Sequence, residues 1–302
     1  MLVNAHTHLD RCWAAQFRPK TPTPFHNWLL RQTRRDQKIL DSATGEERIL
    51  EGIEQGIAEL LAAETTHIGD VTRTGQSIAP LLASGLSGVV YIDILGLEQG
   101  VGDFMLNRAI QLLDQFRPQE RNQMQIGLSL NALYNTSFKT VEKVVSFCES
   151  EAIPLCVHAA ESELENEALT EGTGHLYDLP GRLGSQLRPE VSGKSVIKTL
   201  QDLGVLDLKP LLVHVNHVTK NELDIIKASG SVVAHCPRAS HTLQTGPARL
   251  KRMLMKQIPV ALGTESLAVV ETLDVKDEAE FAKELHAGFV YSGAIDEMLS
   301  GA

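Results

Sequence analysis

The stretch Asn4-Ala5-His6-Thr7-His8-Leu9-Asp10 closes the first apolar run of the chain, Leu2–Ala5, and sets two histidines one residue apart. In an extended strand, residues i and i+2 point to the same face. His6 and His8 therefore project side by side, about 7 Å apart along the backbone, which suits two imidazoles gripping one metal ion. The other donors of such a site then have to come from the ends of later strands, so the pair is a statement about fold as well as chemistry.

Working outward, short apolar runs recur at Thr66–Val71, Gly88–Leu95, Gln125–Asn131, Pro154–His158, Pro210–Val215, Ser231–His235 and Pro259–Leu262. Helical patterns separate them, over Glu47–Ala63, Ser77–Leu82, Gly102–Phe116, Thr140–Glu151, Gly193–Leu203, Lys220–Ala228 and Gly246–Lys256, with a last one over Leu273–His286. Gly230 is placed to stop one of these helices. Several runs are apolar on nearly every residue, as expected of parallel strands buried on both faces. Eight strands, each followed by a helix, is the count of an α/β protein of the (β/α)8 TIM-barrel type. An open doubly wound sheet is disfavoured because no Gly-rich phosphate loop follows the first strand. The whole chain, 1–302, reads as a single barrel domain. Two loop insertions, 11–46 and 162–192, fall at the C-terminal face, where barrels bind substrates.

Composition narrows the partners. The 302 residues are 43% hydrophobic and 22% charged, ordinary for a globular chain with a large core. A formal charge of −10, from 28 Lys+Arg against 38 Asp+Glu, argues against nucleic acid or an anionic membrane. The basic run Arg31–Arg35 with Lys38 reads as the solvated face of a helix. Cys12, Cys148, Cys156 and Cys236 form no C-x-x-C pair and read as buried thiols in a reducing compartment. No signal peptide and no membrane-length apolar stretch is visible, so the expectation is a cytoplasmic protein.

With the barrel in place, strand ends can be read for chemistry. The first strand ends in His6 and His8, the fifth in His158-Ala159-Ala160-Glu161, and the sixth in His214-Val215-Asn216-His217. The seventh ends in His235-Cys236-Pro237 and the eighth in Gly263-Thr264-Glu265-Ser266. Six of the 11 histidines thus lie on the face that barrels use for catalysis.

These motifs, with His-Cys-Pro-Arg-Ala-Ser after the seventh strand, resemble the amidohydrolase superfamily along almost the whole chain. The resemblance is to the cytosine deaminase and chlorohydrolase-like branch, and within it to the aminodeoxyfutalosine deaminase-like group. It implies a metal-dependent hydrolase of non-peptide C–N bonds, a deaminase of a purine-like or other N-heterocyclic amine acting through metal-activated hydroxide. Carried over by position, it makes His6, His8, His158 and Glu265 the ligands of one divalent metal, zinc first and iron or manganese as alternatives. Glu161 would shuttle the proton, and His214 would polarise the substrate or orient the hydroxide. His235 is a pocket-lining candidate, and His217, Arg238 and His241 are candidates for substrate contact, each with a loop-packing reading beside it. Phe25 and Trp28 could form an apolar lid or anchor the first insertion.

Two departures stand out. The family residue at the end of the eighth strand is Asp, and here it is Glu265. The resemblance also implies a small accessory β-sandwich, of which this chain carries little or none, so a homodimer covering exposed barrel surface is an expectation. Two further readings stay open: the same machinery acting on another C–N or a C–Cl bond, or an impaired barrel acting as a binding protein. A cytidine-deaminase-type zinc enzyme is excluded by the lack of H-x-E with P-C-x-x-C.

Overall fold

The apolar runs become strands because both of their faces are covered. Every residue of Leu155–Ala159 and of Val260–Leu262 is buried. In a computed structural model describing residues 1–120 and 123–301, eight parallel strands follow one another in chain order. They are β1 (Val3–Thr7), β2 (His67–Thr72), β3 (Ser87–Ile94), β4 (Met124–Leu130), β5 (Leu155–Ala159), β6 (Leu211–His214), β7 (Val232–His235) and β8 (Val260–Leu262). The sequence-predicted strands fall within two residues of these bounds.

The circle is completed between β1 and the end of β8. Thr7 bridges Glu265. The His8 N–H donates to the Glu265 carbonyl at 3.1 Å, and the Glu265 N–H to the His6 carbonyl at 3.0 Å. Gly263 makes this approach possible, since a Cβ there would stand 2.7 Å from the His6 Cβ. The result is a (β/α)8 barrel, and among the described residues no separate sandwich accompanies it.

Helices cover the outside with apolar stripes. Helix α1 (Phe25–Leu40) lies in the first insertion, after a 3-10 segment over Leu9–Phe17, and carries the basic run, with Arg31, Arg34 and Lys38 exposed. Helix α2 (Gly45–Ala62) buries Ile49, Ile53, Ile57 and Leu60, spaced three and four apart. There follow α3 (Ile78–Ser84), α4 (Gln99–Phe116), α5 (Phe138–Glu151) and α6 (Glu163–Glu171), the last opening the second insertion. Gly230 does stop its helix, in the left-handed region at φ 75°. The helix expected over Gly246–Lys256 forms only over Leu250–Met255; Gly246 takes a positive φ of 87°, open to glycine, and Pro247 disfavours the helical region at the residue before it. All four cysteines are free and buried. Among the described residues no helix is long and apolar enough to cross a membrane.

Candidate active site

At the C-terminal mouth of the barrel, donor atoms of His6, His8, His158 and Glu265 all lie within 4.8 Å of one another, and all four residues are buried. His6 Nε2 stands 3.1 Å from Glu265 Oε1 and His8 Nε2 3.4 Å from it. His8 Nε2 and His158 Nε2 are 3.2 Å apart. The opposite edges of two rings are fixed: His8 Nδ1–H donates to the Val71 carbonyl at 3.1 Å, and His158 Nδ1–H to the Asn131 carbonyl at 2.9 Å. Both Nε2 lone pairs are thereby turned toward the cluster. Donor atoms around one tetrahedral ion at zinc–nitrogen bond lengths are separated by about 3.3 Å. These three separations fit, and the second oxygen, Glu265 Oε2, is buried with no hydrogen-bond partner among the described residues. The three imidazoles and one carboxylate therefore suit a single divalent ion.

The backbone is strained to aim these groups. Ala160, His214, Val215 and Glu265 all have positive φ, between 50° and 73°, at the ends of three neighbouring or closing strands. For non-glycine residues this is uncommon, and for a β-branched valine it is an outlier. Burial, with His6 and His8 adding to it, pushes His214 down to about 3 against the pull of Glu265. Its imidazole is neutral near pH 7, and neither ring nitrogen has a hydrogen-bond partner among the described residues. His214 Nε2 lies 3.7 Å from Glu161 Oε2 and 3.9 Å from Glu265 Oε1. Burial, then Glu165 and Glu265, holds the Glu161 carboxyl well above the usual range. Burial opposes charge on Glu265 too, but His8 and His6 outweigh it and keep that carboxylate ionised. Two carboxyls in one pocket are thus driven toward opposite protonation states, the pattern of a paired acid and base.

Several supporting residues carry no sequence-level flag. Glu165 accepts the backbone N–H groups of Ala160 (3.1 Å), Glu161 (2.7 Å) and Ser162 (3.2 Å), clamping the turn that presents Glu161. The pattern Ser162-x-x-Glu165 is a capping box and could have been found from sequence. Asn216 Nδ2 donates to the Glu161 carbonyl at 3.0 Å and to Ser240 Oγ at 3.1 Å, tying the loops after β5, β6 and β7 together. Asp10 accepts the Arg73 and Thr74 N–H groups at 2.7 and 3.1 Å, holding the loop after β2 against the His6/His8 turn.

Of the other residues singled out in the sequence, Arg238 is engaged within the protein. Its Nε donates to Glu278 Oε1 at 2.7 Å and its Nη2 to the Thr272 carbonyl at 2.9 Å. The guanidinium pairs with the fully buried Glu278 carboxylate, in line with the packing reading. His217 is likewise engaged, through Nε2, with the Thr245 carbonyl. His241 lines an outer cavity with Pro22, Gly246 and Leu285, apart from the metal-donor cluster. His235 is buried with its Nε2 3.4 Å from that of His286, and burial, then His286, pushes it down to about 3. Trp28 is buried and stacks on Phe25 at 6.4 Å between centroids, which anchors the first insertion.

A family model described as the amidohydrolase family matches residues 2–299. The chain belongs to the amidohydrolase family. Among curated amidohydrolase relatives, an aminodeoxyfutalosine deaminase of Deinococcus radiodurans is 30% identical over 295 residues, covering 95% of this chain and 68% of that protein. A 5-methylthioadenosine/S-adenosylhomocysteine deaminase of Dictyoglomus turgidum is 24% identical, over 95% of this chain and 62% of that protein. The chain thus spans roughly two thirds of these relatives' lengths. The crystal structure of an adenosine deaminase from Xanthomonas campestris with bound zinc superposes with a TM-score of 0.77 at 21% identity, covering 99% of this chain and 62% of that one.

Proposed function

We propose that this amidohydrolase is a metal-dependent hydrolytic deaminase of a purine-like or other N-heterocyclic amine. The carrying observation is the convergence of four candidate metal donors with Glu161 and His214 in one buried pocket. His6, His8, His158 and Glu265 would hold the ion, taken as zinc, with iron or manganese as alternatives. When bound, that ion supplies Lewis-acid activation of water at neutral pH.

The chain's own groups account for the proton traffic. Glu265, kept ionised, is the base that accepts a proton from the attacking water. Glu161, whose carboxyl burial holds well above the usual range, gives its proton to the ring nitrogen and afterwards serves the departing amine. His214, neutral and facing both carboxyls, donates or accepts one hydrogen bond at the reacting centre. The strained turns at Ala160, Val215 and Glu265 keep these groups from relaxing away. The four reduced, buried thiols support a cytoplasmic location.

The test combines metal analysis with an ammonia-release screen over purine and pyrimidine derivatives. One ion per chain is expected, with metal-dependent ammonia from at least one aminated ring. Glu161→Gln is expected to keep the metal while losing about 100-fold or more in kcat. Full metal occupancy without ammonia from any compound overturns the reading, and chloride release from a chlorinated ring would move it to the chlorohydrolase type.

A further inference from the structure

On the side of α1 away from the metal donors lies a second cavity, of about 360 Å3, floored by Trp13, Phe17 and Ile39 and rimmed by Arg35, Lys38 and Arg48. The helix divides it from the barrel mouth. Leu29 and Thr33 of α1 face a space shared with Asn131, whose carbonyl accepts from His158. At about 100° of turn per residue, Arg35, Lys38 and Ile39 leave α1 on the opposite side.

The floor is built in advance. The 3-10 segment Leu9–Phe17 rests so closely on α2 that Gly52 has no room for a Cβ against the Trp13 backbone. Trp13 and Phe17 meet edge to face, with 6.2 Å between centroids and 76° between planes, an arrangement aromatic pairs favour. Each ring carries a guanidinium. Arg35 Cζ is 4.6 Å from the Phe17 centroid and Arg48 Cζ 5.7 Å from that of Trp13, both within cation–π reach. Phe17 is nonetheless 41% exposed, leaving ring surface open.

The positive charge here is uncompensated. The chain has 38 Asp+Glu against 28 Lys+Arg, yet no carboxylate lines this cavity. Among the described residues Arg35, Lys38 and Arg48 form no ion pair, and their side chains donate no hydrogen bond. Burial and then Arg31, a fourth cation one turn earlier on α1, lower the Arg35 pKa. The pull of Asp36, which Arg11 and Arg73 also share, does not outweigh them.

We propose that this cavity binds a small planar aromatic anion, its ring against Trp13 and Phe17 and its anionic group on the guanidinium groups of Arg35 and Arg48. The volume lies within the range of small-molecule pockets, about 300–1,000 Å3. A planar ring extends the alternation of aromatic and guanidinium planes, which an alkyl chain cannot. Carboxylate and phosphate both match the guanidinium fork, and the rim repels cations.

The zinc-loaded full chain is titrated by calorimetry with 2-naphthoate, 2-naphthyl phosphate, neutral 2-naphthamide and cyclohexanecarboxylate. At least one naphthyl anion is expected to bind at least about tenfold tighter than both the amide and the alicyclic acid. The preferred anion identifies the group received. Arg48→Gln is expected to bring the anion-to-amide ratio near one, with Arg48→Lys between, and Phe17→Leu to weaken the naphthyl anions about fivefold or more. Arg48 and Phe17 lie outside the metal-donor cluster, so these losses place binding in this cavity. Binding of none of the four compounds, equal binding of anion and amide, or a tie with cyclohexanecarboxylate overturns the proposal. So does an anion preference left intact in Arg48→Gln, which would put the ligand elsewhere.

Discussion

Replacing Glu265 by Asp, the residue usual in the family, is expected to damage this protein. Shortening the side chain by one methylene withdraws the carboxylate by about 1.5 Å, the length of one C–C bond. The separations of 3.1 and 3.4 Å to His6 and His8 would then lengthen to about 4.5 Å or more, beyond what one ion can bridge. The backbone cannot follow, because Glu265 N–H and C=O are both hydrogen-bonded to β1 and its φ of 71° is already unusual. Losing only an outer partner of a metal ligand costs about 10- to 100-fold in affinity. Displacing a ligand is therefore expected to weaken zinc binding by about 100-fold, or about 2.8 kcal/mol. A 1 Å misplacement at a reacting centre costs kcat/KM by a similar factor. Competition against a chromophoric zinc chelator reads the first effect and steady-state ammonia release the second. Equal affinity and turnover in Glu265→Asp would show that the β1–β8 seam slides, and would refute the argument from a locked backbone.

Two further outcomes concern the supports. Glu165→Ala leaves three backbone N–H groups without their acceptor and is expected to cost about 2–4 kcal/mol in urea unfolding. It should also lower kcat with zinc content retained, and a change in stability alone would deny Glu165 a part in presenting Glu161. Arg238→Met strands a fully buried Glu278 side chain and is expected to cost about 3–5 kcal/mol, largely restored by adding Glu278→Leu. A loss below about 1 kcal/mol would mean that water reaches Glu278.

The strands were legible because parallel strands buried on both faces leave uninterrupted apolar runs, and the four metal donors because each closes such a run. What escaped the sequence depends on partners distant along the chain. Arg238 looked available because Glu278, 40 residues away, cannot be paired with it by pattern. Asn216 stands in the strand-end motif without a role the pattern assigns, although its amide joins three loops. Arg11 and Arg73 follow the neighbouring strands β1 and β2, and only their pairing, with α1 folded back beside them, brings both to Asp36. The departure at Glu265 was visible as a letter, but its hydrogen bonds to β1 were not.

The closure of the barrel through Glu265 has a consequence for the order of assembly. His6 and Glu265 stand 259 positions apart, so a chain emerging from the ribosome presents three imidazoles long before the carboxylate that completes their set. On the proposed ligand set, tight capture of the ion would await β8, and the bound ion would then rivet β1 and β8 together. A chelator should loosen the molecule first at this seam, seen as faster amide exchange in residues 4–8 and 263–266, before any outer helix responds.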